Sequence, residues 1–138
     1  MNILLRDRVL AYMLARLGLG INIALHGLVR IGHISQFANS LRPEFAQTIL
    51  PGTLVVIAGY GIVLAEAAIG ILILCNLWLR AALVAGTLLM FLLLIGTCLR
   101  QDWGPAGYQL IYIGYYAVLL ATLQYGESPE KNLVGYSS

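Results

Sequence analysis

Charge is scarce in this chain. Only 10% of its 138 residues are Asp, Glu, Lys or Arg, against 60% that are hydrophobic, where soluble domains carry about 25% charged residues. That scarcity excludes a water-soluble globular fold. The net charge of +2, scattered along the chain, gives nucleic acid no purchase. Cysteine occurs twice, at Cys75 and Cys98, 23 residues apart, so there is no CxxC redox or zinc pattern. Neither a Ser–His–Asp arrangement, a phosphate loop nor a metal-ligand cluster is visible. A signal-peptide cleavage site is lacking too. Arg6 and Arg8 precede an apolar run, but it continues to about Leu28, past the roughly 7–15 residues of an h-region, and no small-x-small motif closes it. The segment reads as a mature membrane helix.

Long apolar runs are what the chain has in abundance, and its mean hydropathy is +0.86. Four of them, at 9–29, 53–75, 79–99 and 107–125, approach the roughly 20 residues that cross a hydrocarbon core as an α-helix. The expected fold is all-α: one domain over 1–138, an integral membrane four-helix bundle. Trp78 and Trp103 flank the third run, where interfacial aromatics belong. Asn76–Trp78 make a tight turn between spans two and three, and Pro105 suits the first turn of the helix after it. Both termini then share one side. Arg6, Arg8, Arg80 and Lys131 against Arg30, Arg42 and Arg100 lean that side toward the cytoplasm. The connection 31–52 is long and patterned: Ile34, Phe37, Ala38, Leu41, Phe45, Thr48 and Ile49 follow a 3–4 spacing that Pro43 and Pro51 interrupt. It predicts a pair of short amphipathic helices in the membrane interface, capping the bundle. The polar tail 126–138 is expected against the surface.

Polar residues punctuate these apolar spans. Wound as a helix, Arg16, Gly20, Ile23, Gly27 and Arg30 share one face, with Asn22, His26 and His33 on a neighbouring stripe. The glycines invite close approach by another helix. An arginine at the bilayer centre costs about 2.5–3.5 kcal/mol even on insertion scales, so Arg16 needs a partner. Glu66 lies deep in the second span, on a face with Gly59, Val63 and Gly70. The expected pairing is therefore Arg16 with Glu66, in a polar interior that also contains His26. Ala82 and Gly86 in the third span read as outward-facing small residues available to a foreign helix.

His26 and His33 stand two turns apart, about 10 Å along a helix, too far to share one metal ion. With no matching histidine in the other spans, a haem pair within the chain is also implausible, and no metal is expected. His26 reads either as a hydrogen-bonding interior histidine or as a proton partner for a quinone oxygen. Tyr108, Tyr112, Tyr115, Leu119 and Thr122 form a stripe that is either an interfacial belt with a packing face or a wall for a flat ring. Trp103, Asp102 and Gln109 fall on the same side as His26, His33 and the long connection, and mark the expected ligand mouth. The candidate ligand site is thus Arg16, His26, Glu66, Trp103, Tyr108 and Tyr112. Cys75 and Cys98 end antiparallel spans at opposite membrane faces, beyond disulfide reach.

The stretch ARLGLGINIALHGLVRIGHISQF carries R-x-x-x-G, then H-G-x-x-[KR] and a downstream aromatic. Glu66 follows, then Gly70–Ile73, then Arg80 before an alanine-rich third span. This combination resembles the DoxX/DoxD superfamily of small four-helix membrane proteins, over about Leu10 to Gly126. Arg16, His26, Gly27, Arg30, Glu66 and Arg80 carry the likeness in register. The tail departs from it, keeping only NLVGYSS where family members often end in a glycine-rich segment. The resemblance implies a subunit associated with a membrane oxidoreductase, in a bacterial inner membrane or another energy-transducing membrane. Quinone is the cofactor it suggests, and the electron-donating centre would come from a partner subunit. Against this stands a non-catalytic accessory subunit stabilising a larger respiratory or photosynthetic complex, favoured by small size, glycine-rich faces and the lack of a reactive set. Membrane lipids and other membrane-protein subunits are the partners under both readings. A transporter is disfavoured, since four short spans show no inverted repeat.

Overall fold

The computed structural model describes residues 3–126, and among these every regular element is helical. The chain forms α1 (Ile3–Ile31), α2 (Ile34–Glu44), α3 (Gly52–Leu74), α4 (Leu79–Leu99) and α5 (Trp103–Ala121), then a 3-10 turn at Leu123–Tyr125. Of these, α1, α3 and α4 are long and apolar enough to cross a membrane. At about 29 Å, α5 has nearly the same reach. Gln109 and four tyrosines dilute its apolar character. Of the expected polar tail, 127–138 lie outside the described residues.

Glycine sets how closely α1 and α3 approach. Gly27 seats on the backbone of Val63 and Ala67, and Gly70 seats on the backbone of Ala24, so a Cβ at either glycine would overlap main-chain atoms. Gly20 meets the side chains of Ile73 and Leu74. The two helices run antiparallel. Toward the N-terminus of α1, contacts move toward the C-terminus of α3.

That register overturns the expected Arg16–Glu66 pair. Arg16 lies about 21 Å along α1 from Arg30, level with the end of α3. There its Nη1 donates to Ile73 O at 2.6 Å and reaches Leu74 O at 3.4 Å. The last carbonyls of a helix lack intrahelical donors, and the negative end of the helix dipole favours a cation beside them. Arg16 is therefore satisfied, at 8% exposure, without a carboxylate. Glu66 lies level with Gly27, where Arg30 Nη1 donates to Glu66 Oε2 at 2.7 Å.

Both tight turns use the same device. After α3, Asn76 adopts a left-handed conformation (φ 56°), donating its N–H to Ile73 O at 3.3 Å while Leu77 N–H donates to Leu72 O at 3.0 Å. After α4, Gln101 (φ 58°) and Asp102 donate to Cys98 O and Thr97 O, both at 3.0 Å. These are Schellman motifs, which absorb the orphan carbonyls and reverse the chain in few residues.

The long connection holds one helix rather than the expected pair. Pro43 sits in the last turn of α2, and Pro51 precedes the start of α3. α2 folds back along the first two turns of α3, with fully buried Ala38 on Gly59 and the Arg42 stem against Gly52. On the other side of the molecule, Tyr116 of α5 is fully buried with its ring against Gly86, and Ala82 is 2% exposed. Ala82 and Gly86 thus face inward, not toward a foreign helix. The core runs through Leu19, Ile23, Ile69, Ile73, Leu83, Met90, Tyr116 and Leu119.

Candidate functional site

All five helices contribute to a cavity of about 280 Å³. Asn22, Ile23, His26 and Arg30 of α1 form one wall, with Phe37 of α2 beside them. Ile62 and Glu66 come from α3, Met90 and Leu93 from α4, and Pro105, Tyr108, Gln109 and Tyr112 from α5. Its polar groups collect on α1 and α5 because those helices touch little, leaving room that the α1–α3 seam does not have.

Hydrogen bonds orient these groups. Tyr112 donates its hydroxyl to Asn22 Oδ1 at 2.9 Å, and the Thr97 hydroxyl, which Leu93 O and Leu94 O also face, lies 2.7 Å from the Gln109 amide. The Asn22 oxygen is thereby engaged, which leaves its NH2 group to donate elsewhere, and the Gln109 amide keeps at least one N–H beyond its contact with Thr97. The Nδ1 of His26 lies 2.9 Å from the carbonyl oxygen of Asn22, one turn earlier. A carbonyl only accepts, so Nδ1 carries the proton, and in the neutral ring Nε2 is an acceptor.

The charges of the cavity cancel. Glu66 is 4% exposed and pairs with Arg30, whose side chain keeps 33% exposure. The Arg30 guanidinium also lies over the Phe37 ring, 4.7 Å from its centroid, a cation–π arrangement. Arg30 thus ties three helices together: α1 that carries it, α2 through Phe37, and α3 through Glu66.

Four of the six candidate ligand-site residues line this cavity: His26, Glu66, Tyr108 and Tyr112. Arg16 does not, because it caps α3 at the other end of α1. Trp103 is not among the lining residues either, whereas Tyr108 stands at the mouth of the cavity, 69% exposed. Two residues before Pro105, Trp103 projects from roughly the opposite side of α5 at 100° per residue. Asp102 likewise turns away and pairs with Arg100 at 3.0 Å. Arg30, which the candidate ligand set left out, belongs to the cavity, whereas Arg80 is exposed at the start of α4. Gly20, Gly27, Gly59 and Gly70 all lie in helix seams.

The tyrosine stripe also divides differently. Tyr112, Tyr116, Leu119 and Leu123 turn inward, while Tyr115 is 38% exposed and donates to Ala15 O at 3.1 Å. Tyr116 escaped the sequence reading, although its 4–3–4 spacing with Tyr112, Leu119 and Leu123 was available as a signal. Among the described residues, no three His, Cys, Asp or Glu side chains come together as a metal-binding group.

Comparison with protein-family models, with curated proteins and with solved structures finds no match to this chain.

Proposed function

We propose that this protein is a DoxX-like integral membrane subunit that binds a quinone on behalf of an oxidoreductase complex. The observation that carries the reading is a polar cavity between otherwise apolar helices, open where His26, Pro105 and Tyr108 are exposed. Its two amides offer N–H donors, which suit ring carbonyls that only accept. His26 Nε2 offers an acceptor for the hydroxyl that such a carbonyl becomes on reduction. The Arg30–Glu66 pair leaves no net charge from those two groups, which favours a neutral headgroup over an anionic one. Arg30, rather than Arg16, is the cation beside Glu66. Electrons are assigned to a partner subunit, and this chain positions the ring and passes protons.

The same reading makes α5 a fourth membrane span beside α1, α3 and α4. Leu110, Ile111 and Val118 are 57%, 67% and 62% exposed, an apolar outer face that lipid would cover. The membrane is then a bacterial inner or other energy-transducing one, with the termini on its cytoplasmic side. The accessory-subunit reading loses one support, since Ala82 and Gly86 are already occupied inside the fold.

The test is gentle-detergent purification from native membrane, with mass spectrometry of co-purifying proteins and extracted lipids. The expected result is a quinone in stoichiometric amount together with a dehydrogenase partner. Asn22→Leu and His26→Leu should lose the quinone at unchanged protein level. Stable membership of a large assembly with no quinone following this subunit would overturn the proposal in favour of the accessory role.

A further inference from the structure

A second cavity, of about 310 Å³, lies between α2, α3 and α4. Its lining is hydrocarbon and aromatic except at one end, where Thr97 and Arg100 stand. It shares Phe37, Ile62 and Leu93 with the polar cavity, so the two adjoin at these side chains. Leu54, Leu92 and Ile95 line it as well and are 51%, 52% and 58% exposed, so it opens sideways between helices onto the apolar outer surface. Water has little reason to fill such a space, because a buried water needs two to four polar partners.

We infer that the two cavities form one bipartite site for a neutral-headed lipid: the ring sits among Asn22, Gln109 and Tyr112, and an isoprenoid or alkyl tail passes Phe37 into the α2–α3–α4 cavity. This rests on the quinone reading of the polar cavity and adds to it the tail, its path and the exclusion of anionic lipids. The charge pattern decides the head class. Arg100, at the end of the apolar cavity, pairs with Glu44 at 2.7 Å and with Asp102 at 3.0 Å. Its guanidinium also lies 5.3 Å from the centroid of the Phe45 ring. With two carboxylates beside it, Arg100 has no unneutralised charge for a phosphate. Arg30 is likewise matched by Glu66. An anionic phospholipid would find hydrocarbon for its chains and no free cation for its head in either cavity. A neutral ring finds donors and loses nothing.

The junction is built from α2. Phe37 contributes its ring to both cavities and is held by Arg30, so α2 positions the passage by folding along α3 instead of lying apart from it. This gives the long connection a function: it closes one side of the tail cavity with Phe37, Leu41 and Phe45.

The experiment compares two probes on the purified protein, a dimethoxybenzoquinone with a decyl chain and the same ring without it, with wild type and Ala58→Leu. Ala58 lines only the apolar cavity, and leucine there fills part of it. The tailed probe should bind wild type about tenfold more tightly than the variant, the equivalent of excluding roughly two methylenes. The bare ring should bind both proteins equally. If the bare ring binds and the tailed probe does not distinguish the two proteins, the tail site is wrong while the quinone reading stands. If neither probe binds wild type, both fall. A measurement on wild type alone guards against misfolding of the variant: a tailed quinone with a mid-chain diazirine should crosslink to the segments around Ala58 and Leu92–Thr97. Labelling confined to outward residues such as Leu14 and Val29 would overturn the assignment. So would phosphatidylglycerol that displaces the tailed probe as effectively as the probe displaces itself.

Discussion

α1 meets its neighbours in two opposite ways. On the α3 side, small residues bring main chain against main chain: Gly27 on Ala67, Gly70 on Ala24. On the α5 side, phenols hold the helices apart. Tyr112 bonds to Asn22, Tyr115 to Ala15 O, and Arg8 Nη1 donates to the Tyr125 hydroxyl at 3.2 Å. Close packing yields many short dispersion contacts and leaves no room. A hydrogen-bonded gap yields fewer contacts and keeps a polar space open between apolar helices. One helix therefore supplies both the anchor of the fold and a wall of the cavity, with the two jobs on different faces.

The contrast can be broken at its tight side first. Gly27→Val and Gly70→Val place side-chain atoms into facing backbone, which neither helix can accommodate without moving apart. Each should cost about 3 kcal/mol or more, read as loss of folded protein in detergent unfolding curves. Unfolding midpoints within error of wild type would show that α1 and α3 are not held by this contact. A smaller effect is expected where the seam ends. Arg16→Leu removes a charged donor from the α3 carbonyls and should cost about 2 kcal/mol. Glu66→Gln should cost about half that, because the amide oxygen still accepts from Arg30 and the one-third-exposed guanidinium retains access to solvent. Equal losses for the two would contradict the capping role of Arg16.

The loose side should respond least in stability and most in binding. Tyr112→Phe deletes a single hydrogen bond and should cost at most about 1 kcal/mol. It also frees the Asn22 amide to rotate, so the affinity for a benzoquinone ring should fall severalfold with the unfolding midpoint nearly unchanged. A large stability loss with unaltered ring affinity would mean that the phenol is a structural pin and not part of a binding wall.

Much of the architecture was legible one residue at a time. Helix formation and its approximate limits follow from apolar run length, and the inward faces of α1 and α3 follow from glycine and polar residues recurring at helical spacing. His26, Glu66, Tyr108 and Tyr112 were recognisable as a candidate group because polar residues in apolar helices are few. The partner of each charge was not recognisable. Arg16 and Arg30 lie on the same face of α1, and choosing between them for Glu66 requires the axial register of α3, which no residue in α1 encodes locally. Trp103 was misplaced for the same kind of reason, since its side of the membrane can be read from position while its direction around α5 depends on where that helix docks.

By itself, then, the sequence determined that long apolar runs fold as helices, three of which are apolar enough to cross a membrane where four spans were expected, and which faces carry glycine and polar groups. These properties depend on composition and on a fixed angular step per residue. Only the tertiary structure decided that Arg30 pairs with Glu66, that Arg16 caps α3, that α2 folds along α3, and that two cavities adjoin at Phe37. Those depend on how far one helix slides along another. Here that sliding was set by backbone contact at Gly27 and Gly70, a long-range event that local periodicity cannot specify.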